Sequence, residues 1–349
     1  MHPDDLHFAW GGPAGTGRLR TCPEDFRVEE QLAFEPGEGG EHAWLLVRKR
    51  GMNTDDVAWA LARHAGVRRG AVSFSGMKDR HAETVQWFSV QLPGREDPDW
   101  SAPADAQWAV VRAVRHGRKL RPGTHRRNRF AIRVRELNAD PDSLEARLRA
   151  VRAGGFPNYF GPQRFGHKGE NLRKARRQLV DGERDAGRAR GIHLSAARAW
   201  LFNRILDCRV ADGTWCSPRP GDALMLAGTH SVFEFRGDEP DIAERIQQLD
   251  LDVTGPLWGI GRQPVSDEMA ARERTWLSEE AALAQALEAI GMAARRRSLR
   301  AAAADLAWSR SGDTLDLAFS LPSGAFATSL VRELLATDTG VPSGGPRGQ

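Results

Sequence analysis

Lys78-Asp79-Arg80 sets one acid between two bases, in a short turn between two apolar runs at 71–74 and 84–92. Runs rich in Val, Phe and Trp, broken at Ser75-Gly76, read as strands. They would hold the acid at the lip of a core rather than on a solvated helix. A carboxylate beside cations stays ionised, and a fixed, ionised carboxylate can act as a nucleophile. The same residues also read as an ordinary charged turn. A different chemistry arises if the segment is extended. Asp79, His81 and Glu83 would then point the same way, as in the metal site of a nuclease. Three ligands in one short run, without a fourth at motif spacing, carry little weight as a metal motif.

Two further stretches carry chemistry. From 112 to 135 there are ten Lys or Arg and no acid, a distribution that would grip phosphates in a salt-sensitive way. Its second half alternates as a strand: Asn128, Phe130, Ile132 and Val134 share one face, while Arg129, Arg133 and Arg135 share the other. Residues 156–170, FPNYFGPQRFGHKGE, are aromatic, glycine-rich and basic together. Phe160, Gln163, Arg164 and Phe165 would contact RNA or shape a cleft, and a structural hinge explains the glycines equally well. Arg295-Arg296-Arg297 and the basic segment 164–190 would add phosphate contacts.

The elements that must position these residues follow from periodicity and caps. Strands are expected at 26–29, 44–47, 108–114, 128–135, 217–236 and 314–321. Helices are expected at 54–65 behind an Asn53 cap, at 142–153 behind Asp140-Pro141, and at 171–180, 196–210, 240–249, 279–290 and 326–336. Residues 93–106 read as a surface loop, 255–259 as a turn-rich junction and the tail PSGGPRGQ as disordered. A chain of 349 residues exceeds one compact core, so two domains are expected. Composition, 40% hydrophobic and 28% charged, is that of a soluble globular protein. A net charge of +4 favours an anionic partner without proving one. Cys22, Cys208 and Cys216 are too few and scattered for a zinc knuckle or a disulfide framework, and no apolar run nears membrane-spanning length. With no signal-peptide layout at the start, the expected location is the cytoplasm. No long heptad pattern is present, which makes a monomer the default, and no protein partner is implied.

Five separated motifs give a resemblance. They are Pro23-Glu24-Asp25-Phe26-Arg27-Val28-Glu29-Glu30; residues 76–89, GMKDRHAETVQWFS; Asn128-x-Phe130 after Arg118-Lys119-Leu120-Arg121-x-Gly123; Asn158-Tyr159-Phe160-Gly161-x-Gln163-Arg164-Phe165-Gly166; and Phe326-Ala327-Thr328 with Val331-Arg332-Glu333-Leu334. In this order the chain resembles the TruD family of tRNA pseudouridine synthases. The resemblance implies an α+β fold, in which a pseudouridine-synthase core with a mixed, largely antiparallel sheet and helices is interrupted by an inserted α/β TRUD domain. The core would comprise 1–154 and 304–349, and the insertion 155–303. It implies isomerisation of a tRNA uridine, at position 13, with no cofactor and no metal. Asp79 would be the catalytic carboxylate, attacking C1′, attacking C6 or assisting a glycal. Phe130 would stack on the flipped base, with Asn128, Arg20, Phe26, Lys78, Arg80, Phe160, Gln163 and Arg164 as further substrate contacts. Arg20 would keep the acid ionised, or serve as a structural ion pair. Lys78 and Arg80 would face RNA or structural carboxylates. A tRNA-binding or RNA-folding protein without catalysis is the alternative reading, and the nuclease a further one.

Overall fold

A computed structural model describes residues 5–101, 106–183 and 190–339. The expected disordered tail, part of the loop expected at 93–106 and part of the basic segment expected up to 190 lie outside the described residues. Along the chain, β1 (Gly15–Leu19) leads through a 3-10 turn into β2 (Phe26–Leu32), followed by β3 (Glu38–Arg50), α1 (Thr54–His64), β4 (Val72–Phe74), β5 (Glu83–Gln91), β6 (Trp108–His116) and β7 (His125–Ala139). Then come α2 (Pro141–Gly154), β8 (Phe156–Pro157), α3 (Glu170–Leu179), α4 (Arg190–Ala211), β9 (Ala223–Leu226), β10 (Val232–Glu234), α5 (Ile242–Gln247), β11 (Leu251–Leu257), α6 (Asp267–Trp276), α7 (Ala281–Ala289), β12 (Arg295–Ser298) and β13 (Arg300–Ala301). The last elements are β14 (Ala304–Ser311), β15 (Thr314–Pro322), α8 (Ala327–Leu334) and β16 (Ala336–Thr339).

The chain forms two compact units. Among the described residues, one holds 15–101, 106–139, 303–323 and 336–339, and the other 5–14, 140–183, 190–302 and 324–335. Residues 5–14, 140–154 and 324–335 group with the middle region in this division. The cause is local bonding: Glu333 of α8 is buried and accepts the amides of Ala9 and Trp10, at 2.9 and 3.3 Å, and the Trp10 indole donates to Gly155 O at 2.9 Å.

The first unit is built on one mixed sheet in the order β14-β15-β7-β2-β5-β3-β6, with β4 on β5 and with β1 joining β7 to β16. Only β2–β5 and β1–β16 are parallel, so the sheet is mixed and largely antiparallel. Strand alternation decides its faces. Ala43, Leu45 and Val47 of β3 and Phe88 and Val90 of β5 turn to one side, where they bury Val57, Ala58, Leu61 and Ala62 of α1. Trp44 and Trp87 turn to the other side and pack with Leu120. α1 starts at Asn53, whose box with Asp56 satisfies first-turn amides.

The second unit has a four-stranded sheet, β10-β9-β11-β12, antiparallel throughout, with the long α4 against β11. The junction expected at 255–259 is mostly strand β11, and the basic knot at 295–297 is strand β12. Arg296 is buried and grips Glu273 at 2.8 Å, so it is not a phosphate contact. Apolar spacing on α4 buries Leu201, Phe202, Ile205 and Leu206, as its period predicts.

Phe88 is fully buried and meets Phe74 edge-on at 5.9 Å. Phe88→Ala is expected to destabilise the protein by about 3–5 kcal/mol, read from the shift of the urea unfolding midpoint. A loss under about 1 kcal/mol would show that this face does not hold α1 in place.

Candidate active site

The loop between β4 and β5 carries Asp79, and the strands below it decide where the carboxylate points. Glu30 of β2 is fully buried and collects three donors: Ser75 Oγ at 2.7 Å, Lys78 Nζ at 2.7 Å and the Trp87 amide at 3.0 Å. A second set of bonds fixes the near side. Thr54 Oγ1 donates to Gln86 Oε1 at 3.0 Å and accepts the Lys78 amide at 2.9 Å, while Gln86 Nε2 donates to Gly76 O at 3.1 Å. Lys78 therefore turns inward onto a buried carboxylate. Arg80 is exposed and makes one bond, from Nε to Gly51 O at 3.3 Å.

Asp79 keeps about a third of its side chain exposed. Its Oδ2 accepts from Arg20 Nη2 at 2.6 Å, and its backbone carbonyl accepts from Lys49 Nζ at 2.8 Å. Among the described residues Oδ1 accepts no hydrogen bond. One oxygen is thus held by a cation and the other is uncommitted, a geometry suited to a carboxylate that reacts through one atom.

Arg20 follows β1 in a left-handed backbone conformation, with φ of 58°, which costs a residue with a Cβ roughly 1–2 kcal/mol. Its guanidinium lies 4.3 Å from the centre of the Phe26 ring. Such strain is usually retained where it sets the direction of a working side chain. Lys49 is the buried cation of the site. Fully enclosed, it donates to Met52 O and Asp79 O, both at 2.8 Å. Burial pulls its pKa down to about 8, with the charge of Asp79 acting in the opposite direction.

β7 supplies the aromatic part. Phe130 stacks on Phe319 of β15, with centres 5.3 Å apart and planes 23° apart, and meets Phe26 edge-on at 6.1 Å. Asn128 is buried two residues away, and its Oδ1 has no partner among the described residues. His125, at the start of β7, donates to or accepts from Ser323 Oγ at 3.1 Å. Burial, followed by the charge of Lys78, lowers its pKa.

Asp79, Arg20, Phe26, Lys78, Arg80, Asn128 and Phe130 thus belong to the unit built on the mixed sheet, whereas Phe160, Gln163 and Arg164 belong to the other. The basic stretch 112–135 is less free than it reads. Acids from elsewhere in the fold pair four of its ten cations: Arg112 with Glu35, Arg115 with Asp97, Arg133 with Asp316 and Arg135 with Asp25. Arg118, Lys119, Arg121, Arg126, Arg127 and Arg129 have no carboxylate partner among the described residues. Their loop is tied to the Asp79 loop, because the Gly123 amide donates to Ser75 O at 2.7 Å. Lys49 and Glu30 were missed in the sequence. The available signal for Lys49 was its phase, since it continues the buried stripe Ala43, Leu45, Val47. Among the described residues no group of His, Cys, Asp or Glu could hold a metal ion, and Glu83 faces Arg27 at 3.6 Å. No helix among them is long and apolar enough to cross a membrane.

A mixed sheet that presents one fixed aspartate beside an arginine and a stacked phenylalanine pair fits the class of pseudouridine synthases, and comparison with known proteins narrows the class. The family model described as tRNA pseudouridine synthase D (TruD) matches residues 5–187 and 186–334. The tRNA pseudouridine synthase D of Methylococcus capsulatus is 47% identical over 345 residues, covering 98% of this chain and 97% of its own. That of Nitrosococcus oceani is 43% identical, covering 96% and 95%. A crystal structure of a protein from Methanosarcina mazei, described as a putative tRNA pseudouridine synthase D, covers 96% of this chain and 95% of its own with a TM-score of 0.69; at 20% identity it shows the fold alone. The chain belongs to the TruD family of tRNA pseudouridine synthases.

The depressed pKa of Lys49 has a signature in stability. Below about pH 8 both the native and the unfolded state hold the proton, and the native state bears a penalty of about 3 kcal/mol. Between about pH 8 and 10.5 the native state releases the proton first, so the contribution of this group to stability rises with pH. Lys49→Met removes that rise. The difference in urea midpoint between wild type and variant should therefore change steadily from pH 7 to 9.5. A difference constant across that range would show that Lys49 titrates normally.

Proposed function

We propose that this protein isomerises uridine to pseudouridine in tRNA, at position 13, with Asp79 as the catalytic carboxylate. The observation that carries this reading is the asymmetry of Asp79: one oxygen is held by Arg20, the other is uncommitted, and the backbone is pinned by Lys49. The reaction breaks the bond from N1 to C1′ and forms one from C5 to C1′; the proton on C5 is lost and N1 gains one. It has no net redox change and adds no group, so this reading needs no cofactor. Asp79 would attack C1′ or C6, or assist elimination to a glycal, and each route uses its ionised form.

A base must leave its stack to reach Asp79 and is then held by stacking and by hydrogen bonds to its edge. In this reading Phe130 is the stacking platform, braced by Phe319, with Phe26 at its edge. The unpartnered Oδ1 of Asn128 suits the N3–H donor of uracil. The unpaired cations of 118–129 and Arg80 would meet tRNA phosphates beside the catalytic loop. Phe160, Gln163 and Arg164 would contact RNA from the other unit, which corresponds in this reading to the family's inserted domain. The protein would act in the cytoplasm as a monomer.

The test maps pseudouridine in unmodified tRNA incubated with wild type and with Asp79→Asn, without added metal or nucleotide. Wild type is expected to introduce pseudouridine at position 13. Asp79→Asn is expected to bind tRNA normally while turnover falls by about three orders of magnitude or more. Equal activity of the two proteins would remove Asp79 from the chemistry. Normal tRNA binding with no pseudouridine from wild type would leave an RNA-binding protein instead.

A further inference from the structure

We propose that Arg164 and Arg297 together form an anion site that takes a phosphodiester of an RNA strand. Both lie in the unit built around α4, and both address one ring. The Arg297 guanidinium is 4.2 Å and that of Arg164 5.4 Å from the centre of Phe160. Phe202 and Phe326 flank the same ring, edge-on at 5.5 Å and tilted at 5.9 Å, so the cations stand on an apolar, rigid platform.

What sets this pair apart is the absence of acid. Among the described residues, the four buried arginines of the unit each bond a carboxylate: Arg204 with Glu279, Arg209 with Asp222, Arg296 with Glu273 and Arg300 with Asp252. Among the described residues, Arg164 and Arg297 have only neutral oxygens as partners. Arg164 donates to Ser195 Oγ at 3.1 Å, and Arg297 Nη2 donates to Asn158 Oδ1 at 2.6 Å and to the carbonyls of Asn158 and Gly324. Arg297 Nε is buried with no partner among the described residues. Two adjacent like charges with unspent donors and no counter-ion are stabilised by an anion that accepts forked hydrogen bonds, and phosphate matches the guanidinium fork. Burial, and for Arg297 the charge of Arg164, lowers the proton affinity of both, consistent with a site lacking its counter-charge. Gln163, His167 and Lys168, close to Arg164 in sequence, are exposed.

The choice of RNA as the source of the phosphate rests on the proposed function, and the test separates the two. Binding of a tRNA transcript is measured over a salt series with the full-length protein, for wild type, Arg164→Gln, Arg164→Lys and Arg297→Gln. The expected result is a five- to tenfold rise in Kd for each Gln variant, with the slope of log K against log salt reduced by about one. Arg164→Lys should keep the slope. Arg164 is only half-buried, so Arg164→Gln carries the test if Arg297→Gln fails to fold. A folded Arg164→Gln with unchanged Kd and slope overturns the site. If wild type makes no pseudouridine yet shows the arginine-dependent slope, the anion site stands and the proposed reaction falls. If wild type makes pseudouridine while the variants bind like it, the anion site falls and the reaction stands.

Discussion

The loop that carries Asp79 depends on one buried carboxylate. Glu30 lies on a central strand, fully enclosed, and an unpaired charge there would be costly. It is satisfied only if Ser75, Lys78 and the Trp87 amide converge on it. Those three donors lie on the two arms of the β4–β5 connection, so meeting the needs of one acid folds the loop. Lys78 turns in, and its neighbour Asp79 is then free to turn out towards Arg20. Breaking such a buried pair by removing one partner is typically worth several kcal/mol. The geometry of Asp79 is therefore tied to the stability of the sheet.

The site is held together by main-chain contacts as much as by charge pairs. Lys49 reaches the carbonyl of Asp79, Thr54 the amide of Lys78, and Gln86 the carbonyl of Gly76. These side chains come from β3, α1 and β5, elements that share one apolar core. A loop fixed in this way presents its carboxylate without needing substrate to order it, which lowers the reorganisation required on binding.

Much of this was legible in the sequence, for physical reasons. The alternation of 128–135 put Asn128 and Phe130 on one face, and strand geometry allows nothing else. The apolar runs around Ser75-Gly76 gave β4 and β5, and the Asn53 cap gave α1. What escaped was long-range pairing. The stretch 112–135 is acid-free along the chain but not in space, because Glu35, Asp97, Asp316 and Asp25 come from distant segments. Arg295-Arg296-Arg297 looked like one basic surface, yet strand alternation sends its middle member into Glu273. β1 and β16 are short and polar, without a period to announce them; they exist because each completes the other's ladder. The buried acid Glu333 gathers the amides of Ala9 and Trp10 from the far end of the chain, a link that no local pattern announces.

The pairing of β1 with β16 has a consequence for biosynthesis. Arg20 leaves the end of β1, and one side of that strand is bonded only to residues 336–339. During synthesis from the N-terminus, the loop bearing Asp79 is made early, while the strand that seats its arginine gains its second neighbour only after some 250 further residues have been added. A nascent or prematurely ended chain would hold the carboxylate without a firmly set counter-charge. Seating of the Arg20–Asp79 pair is thus coupled to synthesis of a strand far downstream of the loop that bears the acid.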